Sequence, residues 1–259
     1  MTRRRRGAAL ALTLALAATA TIAPAQDTRR SGFMFMSPGT QAMQRDDMEN
    51  PGMLAVLDGA ELWAKPSGTS GRSCADCHGG GAEAMRGVAA RYPAFDDARG
   101  AAIDLAGRIV QCRAERQGDA PPPRESRTLL ALTAFVAQRA RGMPVAPPDD
   151  PRMTPVVAAG RALWHQRLGQ LDLSCAQCHD DNAGQKLASA PIPEAHPTGY
   201  PIYRLEWQSI GSLQRRIRGC LTGVRAEPFA YGAAEYIALE AFLMDRARGM
   251  EIESPGVRP

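Results

Sequence analysis

Cysteine and histidine carry most of the reactive chemistry in this chain. It has six cysteines and four histidines, and two of the histidines directly follow a cysteine pair. Cys74-Ala75-Asp76-Cys77-His78 and Cys175-Ala176-Gln177-Cys178-His179 share the pattern Cys-x-x-Cys-His. Two thiols three residues apart lie on one helical turn and can both add to the vinyl groups of one haem. The adjacent imidazole then reaches the iron from one face. A thioredoxin-like redox pair, a disulfide or a zinc site would use the same cysteine spacing. A trailing histidine is foreign to a redox pair, and the chain lacks the strand–helix alternation such a pair sits in. Covalent attachment of two haem c groups is the expected chemistry.

Cys112 and Cys220 remain. Cys220 ends the run Gln214-Arg215-Arg216-Ile217-Arg218-Gly219-Cys220, with Arg225 beyond it. On a helix Arg216 and Cys220 share a face. A guanidinium there favours thiolate and can hold a sulfur oxyanion by two parallel hydrogen bonds. Arg108 and Cys112 stand in the same relation. A disulfide between these cysteines and thiolate ligation of two irons are both open readings. Ligation is favoured because each position should face its own haem. Thiolate stabilises ferric iron and lowers its potential, which suits a site where sulfur itself reacts. Other candidates for a second axial ligand are weaker. His165 and His196 align with Ala64 and Val88, so neither recurs. Met143 and Met250 recur, but they follow the last helix of each unit rather than precede it.

These groups are positioned by one unit used twice. Trp63 and Trp164 each precede a haem box by eleven residues, an offset of 101. Tyr92-Pro93 returns as Tyr200-Pro201, and Arg108-Ile109 with Cys112 as Arg216-Ile217 with Cys220, at 108. Arg139 to Met143 returns as Arg246 to Met250 at 107. The change from 101 to 108 is an insertion in the Pro-rich loop 190–201. Helical patterns cover 53–65 and 156–167 before the boxes, 98–113 and 206–218 before the spare cysteines, and 126–141 and 233–248 at the ends. No run alternates convincingly as a strand. The expected fold is all-α, a tandem repeat of two class I cytochrome c-like domains.

Residues 1–25 read as a cleaved signal peptide, with Arg3 to Arg6, a short apolar stretch and Ala23-Pro24-Ala25. Removing its four arginines from a chain of net charge +4 leaves zero. Nothing in that balance suggests nucleic acid binding, and no stretch is long enough for a membrane anchor. The periplasm is the expected location, an oxidising one. The expected organisation is an N-terminal extension at 26–50, a first domain at 51–143, a Pro-rich linker at 144–155 and a second domain at 156–259. The path of 26–50 is not fixed by its sequence.

The two haem boxes, each followed by a lone cysteine, with Arg216-Ile217-Arg218-Gly219-Cys220 and Arg225-Ala226-Glu227-Pro228, resemble the SoxA family over nearly the whole mature chain. These are dihaem catalytic subunits of the SoxAX cytochromes of bacterial sulfur oxidation. The resemblance implies covalent haem on Cys74 and Cys77, with axial His78 and Cys112. It implies a second haem on Cys175 and Cys178, with axial His179 and Cys220. Cys220 would be the catalytic cysteine, found as a persulfide in the family, and Arg216 would bind substrate. The implied reaction is that of an L-cysteine S-thiosulfotransferase: thiosulfate is joined to a cysteine of a SoxYZ-type carrier protein. Electrons would pass through a SoxX-type monohaem cytochrome c, held as a heterodimer, to a small cytochrome c acceptor. The rivals are a plain dihaem electron carrier with His/Met ligation through Met143 and Met250, and a haem sensor with an open coordination site. Because Cys112 matches Cys220, the repeat offers no internal reason to make Cys220 alone catalytic, beyond Gly219 and the extra Arg218.

Overall fold

The computed structural model describes residues 27–78 and 82–259. The proposed signal peptide lies outside them. Each half is built on a crossed helix pair. In the first, α2 (Gly52–Ala64) packs on α5 (Arg127–Gln138); in the second, α6 (Thr154–His165) packs on α9 (Ala234–Arg246). A short helix carries each haem box, α3 (Cys74–His78) and α7 (Cys175–His179). The spare cysteines ride on α4 (Leu105–Cys112) and α8 (Leu213–Gly223).

Glycine sets both crossings. A Cβ on Gly59 would lie 2.1 Å from the Ala131 carbonyl oxygen, and one on Gly160 would lie 1.9 Å from that of Ala238. The backbones therefore touch where any side chain would hold them apart. Beside each crossing a tryptophan bridges to the box. Trp63 lies 5.4 Å from both Phe135 and His78, and Trp164 lies 5.9 Å from Phe242 and 5.7 Å from His179, centre to centre. The α2–α5 and α6–α9 packing thus fixes the direction of each box histidine.

The helices that carry the spare cysteines begin later than their hydrophobic pattern suggests. Residues 98–104 and 206–212 are not helical. They hold the second strands of two small hairpins, β1 (Ala94–Asp96) with β2 (Ala101–Ile103), and β5 (Ile202–Arg204) with β6 (Ser209–Gly211). Strands of three residues are too short to show alternation, so the pattern did not reveal them. The helices start at side-chain caps instead. Asp104 accepts from the Gly107 amide at 2.8 Å, and Ser212 from the Arg215 amide at 3.1 Å. Cys112 is the last residue of α4, which then widens into a π turn over Arg113–Gln117. Cys220 sits inside α8, which runs on to Gly223. A further two-residue pairing, β3 (Lys186–Leu187) with β4 (Ala190–Pro191), lies in the loop after the second box.

The two halves meet through a reciprocal ladder. The Gly142 amide donates to the Ile252 carbonyl at 2.9 Å, and the Gly249 amide to that of Val145 at 2.8 Å. Val145 donates to Met250 at 2.8 Å, and Ile252 to Met143 at 2.9 Å. Each bond maps onto its partner at the 107 offset, so the interface has pseudo-two-fold symmetry. Ala140, Val145, Ala247, Met250 and Ile252 close an apolar cluster over it. The start of the Pro-rich stretch 144–155 is therefore pinned, with Val145 1% exposed.

The N-terminal extension has a fixed path. After a 3-10 turn at Gly32–Phe35 and helix α1 (Pro38–Arg45), it lies against the C-terminal strand β7 (Gly256–Arg258). Gln44 accepts from the Val257 amide at 2.9 Å, and Asn50 donates to the Pro255 carbonyl at 2.9 Å. Strand β7 in turn pairs with β5 in parallel. The extension thus braces the sheet beside the Cys220 helix. Among the described residues, no helix is long and apolar enough to cross a membrane.

Candidate functional site

Both halves bring their three cysteines together. In the first, the charges of Cys77 and Cys112 act on Cys74, and that of Cys77 on Cys112. In the second, the charges of Cys220 and Cys178 act on Cys175, which burial pushes up to about 11. All six cysteines are free, so the disulfide between Cys112 and Cys220 is not formed.

The box histidine of the second half is set by a hydrogen bond. His179 Nδ1 lies 2.6 Å from the Pro193 carbonyl oxygen. A carbonyl can only accept, so Nδ1 carries the proton and Nε2 is left as a lone-pair donor to a metal. His179 also lies near Cys220. The Trp164 indole behind His179 donates to Asp180 at 2.7 Å, and Asp180 pairs with Arg246 at 2.5 Å. In the first half, Trp63 Nε1 has no partner among the described residues.

The two spare thiols are shifted in opposite directions. Burial raises Cys112 above the ordinary thiol value; Arg108 and Arg116 oppose this, while Glu115 and Cys77 add to it. Burial would raise Cys220 as well. The His179 contact and the charges of Arg216 and Arg204 oppose this, and Cys220 lies below the ordinary value. The arginine one turn earlier is also held differently in the two halves. Arg108 Nη1 is 3.5 Å from the buried Asp96 carboxylate and donates to Gln111 at 2.6 Å. Arg216 has neither an ion pair nor a hydrogen bond among the described residues. A Cβ on its neighbour Gly219 would meet only the Arg216 guanidinium, at 3.8 Å. Arg216 is thus a half-buried, unpaired cation beside Cys220 among the described residues, where Gln111 engages Arg108 at the matching place in the first half.

The other arginines of this run are committed elsewhere. Arg218 donates to the Phe229 carbonyl and stacks on Tyr231 at 4.6 Å, so it lends the site less than the sequence suggests. Arg215 stacks on Trp207 at 4.1 Å, and Arg225 is exposed on a turn with φ 58°. Tyr200 lines the site, pushed up to about 12 by burial, which the charges of Arg216 and Arg258 oppose and that of Cys220 reinforces. Arg204 acts on Cys220 from strand β5. Met143 and Met250 sit with the interface ladder, Met250 within its apolar cluster. His165 is exposed, and His196 is buried beside Glu194 at 3.4 Å.

Comparison with known proteins follows this geometry closely. A family described as "SoxA/TsdA, cytochrome c domain" matches residues 58–145 and 159–252, one match per half. The L-cysteine S-thiosulfotransferase subunit SoxA of Rhodovulum sulfidophilum is 36% identical over 92% of this chain and 83% of its own length. That of Paracoccus pantotrophus is 33% identical over 92% of this chain and 82% of its own. The chain belongs to the SoxA family. The crystal structure of SoxXA from P. pantotrophus superposes with a TM-score of 0.86 at 32% identity, covering 89% of this chain and 87% of that one.

Haem c is the cofactor of this chain, one group per half, and the residues present fit it. Each box exposes or half-exposes its cysteines, with the histidine ring beside a tryptophan. In the second half the histidine tautomer is already that of an iron ligand. Sequence reasoning passed over Tyr200 as a lining residue and Arg204 altogether. The signal for Arg204 was present in the 108 offset, which aligns it with Asp96.

Proposed function

We propose that this chain is the catalytic subunit of a periplasmic L-cysteine S-thiosulfotransferase. It works as a heterodimer with a SoxX-type monohaem cytochrome c. It couples thiosulfate to a cysteine of a SoxYZ-type carrier and delivers two electrons to a small cytochrome c. The single observation that carries the reading is the asymmetry of the matched thiols. Arg216 stands open beside Cys220, whereas Arg108 beside Cys112 is neutralised by Asp96 and covered by Gln111. An anionic substrate is attracted to the first arrangement and not to the second.

The reaction balances as carrier thiol plus thiosulfate giving the carrier S-thiosulfonate, one proton and two electrons. Haem c, when bound through Cys175, Cys178, His179 and Cys220, accepts electrons one at a time. Cys74, Cys77, His78 and Cys112 would hold the other group. The remaining contributions come from the chain. Arg216 binds the dianion by charge-assisted hydrogen bonds. Cys220 presents its sulfur where the sulfane sulfur and the carrier thiol meet, which converts an encounter of three sulfurs into a local one. His179 is held by the Pro193 carbonyl, which fixes the orientation of the imidazole offered to the haem.

The test is Cys220→Ala in the heterodimer, with both haems verified by mass. Thiosulfate- and carrier-dependent reduction of cytochrome c should vanish. Full turnover in that variant would sink the proposal.

A further inference from the structure

The 108 offset that aligns Cys112 with Cys220 also aligns strand β1 with strand β5, and so Asp96 with Arg204. At this one strand position the halves carry opposite charge. In the first half the strand residue neutralises the arginine of the thiol helix, Asp96 to Arg108 at 3.5 Å. In the second half the strand residue is a cation, and its neighbours on the thiol helix are Arg216 and Cys220, whose charges both act on it. The exchange replaces a cation–anion pair between strand and helix by two guanidinium groups close enough for the charge of one to act on the other.

Arg204 is not a mobile surface side chain. Its side chain is 14% exposed. Nε donates to the Pro259 carbonyl oxygen at 2.7 Å, one Nη pairs with Glu206 at 2.7 Å, and the guanidinium lies 5.0 Å from the centre of the Trp207 ring. The remaining Nη is uncommitted among the described residues. Arg216 is likewise without a partner. Two partly buried cations near one another repel, and the arrangement is relieved when an anion binds to both.

We propose that Arg204 is a second substrate-positioning residue. With Arg216 it forms a two-guanidinium clamp on the sulfonate oxygens of thiosulfate and so directs the sulfane sulfur at Cys220. The clamp rests on the thiosulfate reading above. It adds a reason for selectivity: a dianion with three terminal oxygens can bridge two forks, whereas a monoanionic thiol compound engages one. Glu206 moderates the clamp from its outer side, being largely exposed next to Arg204.

The test measures thiosulfate KM and kcat separately, in the heterodimer with saturating carrier, for three variants. Arg204→Gln should raise KM by roughly tenfold, the worth of one charge-assisted contact, with kcat much less affected. Arg204→Lys should recover most of that loss by restoring charge, although it cannot keep the bonds to Pro259 and Glu206 together. Glu206→Gln should lower KM, since it removes the moderating charge. A purely structural strut predicts the reverse pattern: Gln and Lys would both lower the melting temperature, and none of the three would move KM. An unchanged KM in Arg204→Gln and Glu206→Gln, with Arg216→Ala impaired, overturns the role of Arg204 alone. Retained turnover in Cys220→Ala would instead overturn the reading beneath it. If Arg204→Gln loses its haems, Glu206→Gln decides the matter, because its side chain is 65% exposed and the change leaves the fold intact.

Discussion

The two halves of this chain differ little in scaffold and greatly in charge. Both cross their helices at a glycine, set a tryptophan against the box histidine, and cap the thiol helix with Asp104 or Ser212. Around the thiol itself they part. The first half surrounds Arg108 with Asp96 and Gln111, and the second offers Gly219 and Arg204 at the same positions. Packing therefore repeats the cofactor cradle, while a few polar side chains around the thiol differ. On the proposed function, a duplicated fold gains a reactive centre through its electrostatics rather than through new backbone.

The comparison breaks most visibly at the thiols. Cys220→Ala should lower turnover by about a thousandfold or more, as removal of a reacting group does. Cys112→Ala should leave most turnover in place and remove only one of two thiolate-type low-spin signals in electron paramagnetic resonance of the ferric protein. Comparable activity losses in the two variants would show that the halves are not functionally distinct.

Next in size is a change that should affect both halves alike. Gly59→Ala and Gly160→Ala each drive a Cβ into a backbone carbonyl, and each should cost about 3 kcal/mol by denaturant unfolding. A tolerant Gly160→Ala would mean that the second crossing is looser than drawn.

A smaller effect separates the tryptophans. Trp164→Phe loses a bond to the Asp180 carboxylate and should cost about 1–2 kcal/mol more than Trp63→Phe. Equal costs would show that Trp63 Nε1 is satisfied as well.

The smallest effect concerns a cavity of about 120 Å³ between the halves. Its walls include repeat-matched residues, among them Tyr92 with Tyr200, Asp104 with Ser212, and Thr133 with Glu240. Burial, and then the charge of Asp104, raises Glu240 to about 8. The folded chain thus holds a proton that the unfolded chain releases near the ordinary carboxyl value. Between about pH 4.3 and 8 the native state binds more protons, and stability falls as pH rises. Above that window the loss is complete. Glu240→Gln should flatten this slope in thermal unfolding between pH 5 and 8; an identical slope would show that Glu240 is ionised throughout.

Much of this arrangement was legible in the chain, because the repeat and the boxes rest on local spacing. The helix pairs, the recurring thiols and the Arg216–Cys220 face follow from periods of three and four residues. The hairpins were hidden because three-residue strands carry no period. The course of residues 26–50 was hidden because Gln44 and Asn50 find partners at Val257 and Pro255, far along the chain. The reason for favouring Cys220 was also hidden. It depends on which side chains face Arg108 and Arg216 across space, and only paired strands bring Asp96 and Arg204 there. The arginine run overstated its own case, since Arg215 and Arg218 serve to hold loops.

The ladder between 142–145 and 249–252 carries a historical consequence. Each segment offers the donors and acceptors that the other needs, in the same order. A single ancestral half would have carried one such segment, self-complementary about a two-fold axis, and would have paired with its own copy. Joining two copies in one chain kept that contact while freeing the two members to diverge. A symmetric dimer must mutate both of its sites at once; this chain could keep Asp96 in one and acquire Arg204 in the other.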